Sequence, residues 1–155
     1  LSYLEYSLSY VALRYSNVYG PRQSPKGEAG VVAIFTSQML QKERPTIFGK
    51  GDKTRDYVYV SDVVASNLLA MEKSENGIYN IGTGAETSDQ EIFNLLAELT
   101  GYQDSPRYAP VRKGEIYRIC LDYSRARKVI GWQPRFLLRE GLMETVNYYR
   151  NILRQ

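Results

Sequence analysis

The sequence predicts an α/β fold in which strands alternate with helices, and three observations carry that expectation. Residues 8–15 (LSYVALRY), 55–60 (RDYVYV) and 77–81 (GIYNI) are short runs of apolar, aromatic and β-branched residues at strand length. Apolar residues recur at helical spacing elsewhere, most clearly at Ile92, Phe93, Leu95, Leu96 and Leu99. Stretches rich in Gly, Pro, Asn and Ser separate these segments, above all residues 16–30.

Each element follows from local pattern. Residues 3–7 read as the last turns of a helix. Residues 8–15 carry apolar side chains on both faces, the pattern of a buried parallel strand. Residues 16–30 then form a long loop, and loops of that length in compact domains commonly carry function. Residues 31–43 are helical and 45–48 extended. Residues 55–60 alternate as a strand and lead into a helix capped at Ser61. After the strand at 77–81, Thr87 opens a helix with Gln90 in the capping-box position, and Gly101 stops it. An extended stretch at 107–110, the segment 112–121, a short helix at 124–129 ended by Gly131, and an amphipathic helix at 141–152 complete the chain. No internal repeat, low-complexity tract or linker divides it.

Composition narrows the chemistry. At 155 residues, 43% apolar and 24% charged, the chain suits one globular domain. Its 20 basic residues are interleaved with 17 acidic ones, so no electrostatic face for nucleic acid is expected. No apolar run reaches the roughly 18 to 20 residues that span a bilayer, and no secretory leader is evident, which makes the expected location cytoplasmic. There is no histidine, and Cys120 is the only cysteine, which excludes internal disulfides, Cys/His zinc sites and an imidazole-based triad. No metal site is expected. Reactivity must come from Tyr, Lys, Arg, Ser, carboxylates or a cofactor.

Three clusters carry binding chemistry. At the C-terminal end of the first strand, where open α/β sheets place their ligands, LRYSNVYGPRQ offers the Asn17 amide to a phosphoryl oxygen. The alternative is a turn in which Asn17 caps its own backbone. In TIFGKGDKTRDYVYV a planar base can stack on Phe48, and Arg55 can grip a phosphate through its planar fork. Alternatively, Gly49 to Gly51 is a plain turn and Arg55 pairs with Asp52 or Asp56. In YAPVRKGEIY, Arg112 is a cation for phosphate and Glu115 an acceptor for ribose hydroxyls, unless the group is a solvated charge cluster.

Taken together and in this order, these clusters resemble the second half of the NAD-dependent epimerase/dehydratase branch of the extended short-chain dehydrogenase/reductase family. GEAGVVAIF, the strand ending YNIGTG, and the tail IGWQP followed by EGL extend the resemblance from about Leu8 to the C-terminus. SNVYGPRQ with GEAGVVAIF is most similar to UDP-glucose 4-epimerases. The resemblance implies a Rossmann-like fold of which residues 8–155 are the sugar-nucleotide-binding part, including the last strands of its sheet. Residues 1–7 would be the end of a helix from an N-terminal, dinucleotide-binding catalytic half that is absent here. It further implies that Asn17 holds the diphosphate, Val31 and Val32 lie beside the nucleotide, and Thr46 and Phe48 frame uracil. Arg55 and Arg112 would neutralise the two phosphates and Glu115 would take ribose hydroxyls. Tyr15, Ser16 and Val18 would bring their main chain against the nicotinamide of NAD. Lys113 stands where many relatives have proline, which adds a cation to that loop.

The reaction so implied oxidises the C4 hydroxyl of a UDP-hexose by hydride transfer to NAD and returns the hydride to the other face of the 4-keto sugar. It needs a glycine-rich strand-turn-helix, a Tyr with Lys four residues later, and a Ser or Thr. None is here in recognisable form: Gly49/Gly51 and Gly82/Gly84 lack a third glycine, and no tyrosine is followed by lysine at the fourth position, where Tyr10 meets Arg14 and Tyr108 meets Arg112. The catalytic groups are therefore expected upstream of Leu1, a stretch is expected to be missing near Ser7 and Leu8, and the chain alone is expected to be inactive. The resemblance implies a homodimer for the complete enzyme. Two other readings stay open: another activity of the superfamily, such as a 4,6-dehydratase or reductase, and a non-catalytic sugar-nucleotide-binding module.

Overall fold

The computed structural model describes residues 9–27, 29–73 and 76–153. In chain order the elements are β1 (Val11–Tyr15), β2 (Asn17–Tyr19), α1 (Val31–Leu40), β3 (Thr46–Phe48), β4 (Thr54–Arg55), β5 (Tyr57–Tyr59) and α2 (Val60–Lys73). They continue with β6 (Gly77–Ile81), β7 (Thr87–Ser88), α3 (Asp89–Thr100), β8 (Arg107–Ala109), α4 (Ser124–Ile130) and α5 (Leu138–Leu153). The α/β expectation holds. The helix expected at residues 3–7, and with it the proposed join to residue 8, lies outside the described residues.

The strands pair two by two. β1 runs parallel to β6, β2 to β5, and β3 to β8, while β4 and β7 are antiparallel. β1 is therefore parallel as expected, but Ala12, Arg14 and Tyr15 are exposed, so it is not covered on both faces by the described residues. The segment 16–30 is not loop throughout: Asn17, Val18 and Tyr19 pair in register with Tyr57, Val58 and Tyr59.

Residues 55–60 do not form one strand, and the reason is Asp56. Its side chain is fully buried, and its carboxylate accepts from Thr83 N (2.8 Å), Thr83 Oγ1 (2.6 Å), Gly84 N (3.2 Å) and Leu121 N (3.2 Å). Its carbonyl accepts from Asn17 N at 2.9 Å. At this residue the chain changes partner, from antiparallel β7 before it to parallel β2 after it. One buried carboxylate thus ties the 82–84 turn and the 121 segment to the strand that carries Arg55.

Helix limits shift by local capping. α2 begins at Val60, so Ser61 lies inside its first turn rather than capping it. At α3 the capping box is formed by Ser88 and Glu91, one residue later than Thr87 and Gln90: Glu91 N donates to Ser88 Oγ, and Ser88 N donates to the Glu91 carboxylate. Thr87 is instead held in β7, paired with Arg55. Gly101 and Gly131 close α3 and α4 in the left-handed conformation, as the sequence predicts. α1 stops at Leu40, three residues short of the expected end, and α5 starts at Leu138, three residues before the expected start.

Two cores result. α1, α3 and α5 pack against one another, joining Val32, Phe35, Met39, Phe93, Leu96, Leu142 and Val146 with Ile47 of β3 and Tyr57 and Tyr59 of β5. On the other side of β5, Val58, Val63, Tyr79, Ile81, Ala126, Ile130 and Trp132 form the second core, with the Trp132 indole donating to Asp62 O at 2.8 Å. β5 lies between them, contributing Tyr57 and Tyr59 to one and Val58 to the other, as strand alternation requires.

Candidate sugar-nucleotide site

α1, β3, the β4 to β5 segment, the start of α3 and the loop after β8 enclose a cavity of ≈ 410 Å³. Seven of the eight residues expected to contact the substrate line it: Asn17, Val31, Thr46, Phe48, Arg55, Arg112 and Glu115. The eighth, Val32, does not. One residue along a helix is a turn of about 100°, which sends Val32 into the core at 1% exposure while Val31, Ile34, Phe35 and Gln38 face the cavity.

The cavity wall is built from chain pairings. Asn17 stands at the start of β2, its N–H held by Asp56 O, with its side chain exposed. This strand pairing replaces the self-capped turn considered for Asn17. Thr46 and Phe48 flank Ile47 on β3, whose pairing with β8 turns Ile47 into the core and leaves its two neighbours half-buried at the cavity. Gly49 and Gly51 both have positive φ (83° and 80°), and a Cβ on Gly49 would meet Val111 Cγ2 at 2.9 Å. That close approach brings the loop after β8 against the turn after β3.

Arg55 pairs with neither Asp52 nor Asp56 among the described residues. Its Nη1 donates to Thr54 O (2.8 Å) and Tyr117 O (3.4 Å). Asp56 is committed to three main-chain N–H groups and the Thr83 hydroxyl. Arg112 places its guanidinium carbon 3.8 Å from the centroid of the Phe48 ring, a cation-π contact. The face of Phe48 on that side is therefore covered by Arg112, and a stacking base must use the other face or displace the guanidinium.

Glu115 is not a solvated charge. Its Oε2 is 2.6 Å from Lys53 Nζ, and this bond holds its carboxyl below the ordinary carboxylate range. Lys53 also lies 3.6 Å from Asp89, whose carboxyl is pushed up by burial, with Lys53 opposing the shift. Lys53 and Asp89, both on the cavity wall, were not anticipated; a lysine among turn residues carries no periodic signal. Gln38 carried one, since residues 31, 34, 35 and 38 share a helix face. Gln38 Oε1 and Tyr57 Oη are buried without hydrogen-bond partners, and burial pushes the Tyr57 hydroxyl up. Such orphaned atoms on a cavity wall suit a polar ligand.

The residues expected at nicotinamide lie elsewhere. Tyr15 lines a second cavity of ≈ 400 Å³ with Tyr10, Leu13, Asn67 and Met71, and its hydroxyl donates to Asn67 Oδ1 at 3.0 Å. Main-chain groups here are already committed: Ser16 N donates to Ile81 O (2.9 Å), and Val18 O accepts from Gln23 Nε2 (3.1 Å). The Ser16 hydroxyl is buried without a partner.

Comparison with known proteins places this geometry. The chain is 56% identical to the UDP-glucose 4-epimerase of Thermotoga maritima, solved with UDP-glucose, over 97% of its length and 49% of that chain, with a TM-score of 0.95. It is 32% identical to the UDP-N-acetylglucosamine 4-epimerase of Methanobrevibacter ruminantium, solved with UDP-N-acetylmuramic acid, over 97% of its length and 49% of that chain, with a TM-score of 0.94. It is 46% identical to the UDP-glucose 4-epimerase of Mycolicibacterium smegmatis over 94% of its length and 47% of that protein. The chain thus spans about half the length of these three relatives. The sequence pattern of the NAD dependent epimerase/dehydratase family matches residues 2–82, and the chain belongs to that family.

Proposed function

We propose that this chain grips the UDP moiety of a nucleotide sugar, within a protein that interconverts UDP-glucose and UDP-galactose by transient NAD-dependent oxidation at C4. The observation that carries the reading is convergence. Two guanidinium groups, from β4 and from the loop after β8, reach one cavity together with an amide from β2 and an aromatic ring from β3. Paired cations held apart on separate elements suit a diphosphate.

In this reading Arg55 and Arg112 bind the two phosphoryl groups and Asn17 donates to one of them. Thr46 and Phe48 flank uracil, Val31 lies beside the nucleotide, and Glu115 takes ribose hydroxyls. The likeness to epimerases solved with UDP-sugars supports the substrate class. NAD supplies a hydride acceptor when bound. The described residues contain no glycine-rich turn for its pyrophosphate, so other residues of the protein would hold most of it; the Ser16 hydroxyl, between β1 and β2, is buried without a hydrogen-bond partner. The role of this chain is to hold and orient.

Calorimetric titration of the protein at its natural full length tests the reading. UDP and UDP-glucose bind, and Arg55→Ala or Arg112→Ala each weakens binding about tenfold or more, the scale of one lost charge-assisted contact. Unchanged affinity in both variants removes the phosphate assignment. NMR of the products formed from UDP-glucose distinguishes epimerisation, which yields UDP-galactose, from dehydration or reduction.

A further inference from the structure

Lys53 lies between β3 and β4 on the cavity wall and is almost wholly buried, at 6% exposure. A buried ammonium is costly unless partnered. Its partners come from two distant parts of the chain: Glu115 at 2.6 Å, in the loop after β8, and Asp89 at 3.6 Å, the first residue of α3. The main chain around Lys53 is fixed on both sides, since Asp89 N donates to Lys53 O (3.1 Å) and Thr54 N donates to Tyr117 O (3.0 Å). Lys53 is therefore a rigid post between two segments.

The loop after β8 is pinned by the main chain at its two ends, where Gly49 N donates to Ala109 O (2.8 Å) and Thr54 N to Tyr117 O (3.0 Å), and stands largely in solvent between them. Val111, Arg112, Lys113, Gly114 and Ile116 are all exposed, and Glu115 is the half-buried residue among them. Among the described residues its side-chain attachments to the cavity are the Glu115 to Lys53 pair and the Arg112 guanidinium over Phe48. Charge adds a second argument. The wall carries three cations, Lys53, Arg55 and Arg112, against two carboxylates, Asp89 and Glu115. Without Lys53 the count is two against two, and Glu115 would face a nucleotide diphosphate without the ammonium that bonds it directly.

We propose that Lys53 is a positioning residue for nucleotide recognition. Its ammonium anchors Glu115 through Oε2, sets the loop over the cavity so that Arg112 meets the diphosphate, and leaves Oε1 of Glu115 aimed at the ribose hydroxyls. The inference rests on the nucleotide reading given above.

The test compares UDP with 2′,3′-dideoxy-UDP by calorimetry on the protein at its natural full length. The unmodified protein prefers UDP about tenfold, as expected for a hydroxyl donating to a carboxylate. Lys53→Met reduces that preference to about threefold or less, and Glu115→Gln does the same. The double variant is no worse than either single one, because both act through one contact. Lys53→Arg, which keeps the cation, restores a preference that a merely space-filling role would not. A full preference in Lys53→Met, or losses that multiply in the double variant, overturns the inference alone. If Lys53→Met fails to fold, Glu115→Gln decides: an unaltered preference there overturns the proposal, and a lost one that Glu115→Asp partly restores upholds it. Unmodified protein that does not bind UDP overturns the nucleotide reading and this inference together.

Discussion

Asp56 and Arg55 are adjacent, yet they do opposite work. Asp56 is turned inward with four donors on its carboxylate, while Arg55 is left to the cavity with only carbonyl partners. Removing Asp56 would take the acceptor from the N–H groups of Thr83, Gly84 and Leu121 and from the Thr83 hydroxyl and leave a cavity at a fully buried position, so Asp56→Ala is expected to cost about 3 kcal/mol. Chemical denaturation checks this, with Asp52→Ala, an exposed neighbour, expected within about 0.5 kcal/mol of the parent. The lining of the cavity was partly legible at this scale. Arg55, Arg112 and Asn17 announced themselves because cations and amides beside Gly-containing turns suit phosphate. Lys53 and Asp89 did not, since a buried ion pair joins residues far apart in sequence. Val32 was misplaced because an apolar pair on a helix gives no sign of which member faces the ligand.

At the scale of elements, local chemistry explains both the hits and the one-residue slips. The α3 start carried two overlapping signatures, Thr87 with Gln90 and Ser88 with Glu91, and pairing of Thr87 with Arg55 in β7 selected the second. Ser88→Ala is expected to cost about 1 kcal/mol, a fall of about 2 to 4 °C in Tm for a domain of this size. The effect has a pH sign. Hydrogen bonds from Ser88 hold the Glu91 carboxyl below its ordinary value, so its contribution is present above the unfolded-state pKa, about 4.3, and is lost as pH falls through the lower folded value. Thermal melts should show the difference between Ser88→Ala and the parent shrinking in acid; a constant difference would contradict the capping-box account. α5 offers a packing test. A Cβ on Gly141 would overlap the Tyr19 hydroxyl and lie 2.8 Å from Tyr59 Cδ2, so Gly141→Ala is expected to destabilise by about 1 to 3 kcal/mol through overpacking, despite the better helix propensity of alanine.

At the scale of the whole molecule, alternation of strands and helices was readable because its periods are written in the chain, whereas strand pairing was not. Residues 16–30 look like loop, since three residues of strand among Gly, Pro and Ser carry too little pattern, and β2 exists because β5 offers it a parallel edge. The division of labour between the two cores was likewise invisible until β5 was seen to serve both. What this arrangement achieves is convergence: β2, β3, β4, α1, α3 and the loop after β8 each contribute to one cavity, and no single element could hold a diphosphate, a base and a ribose together. The central claim is met most directly by a crystal structure of the full-length protein with UDP-glucose. The account predicts the diphosphate between the Arg55 and Arg112 guanidinium groups, within about 3 Å of both, with uracil beside Thr46 and Phe48; a nucleotide bound elsewhere, or with either arginine turned away from the phosphates, would contradict it.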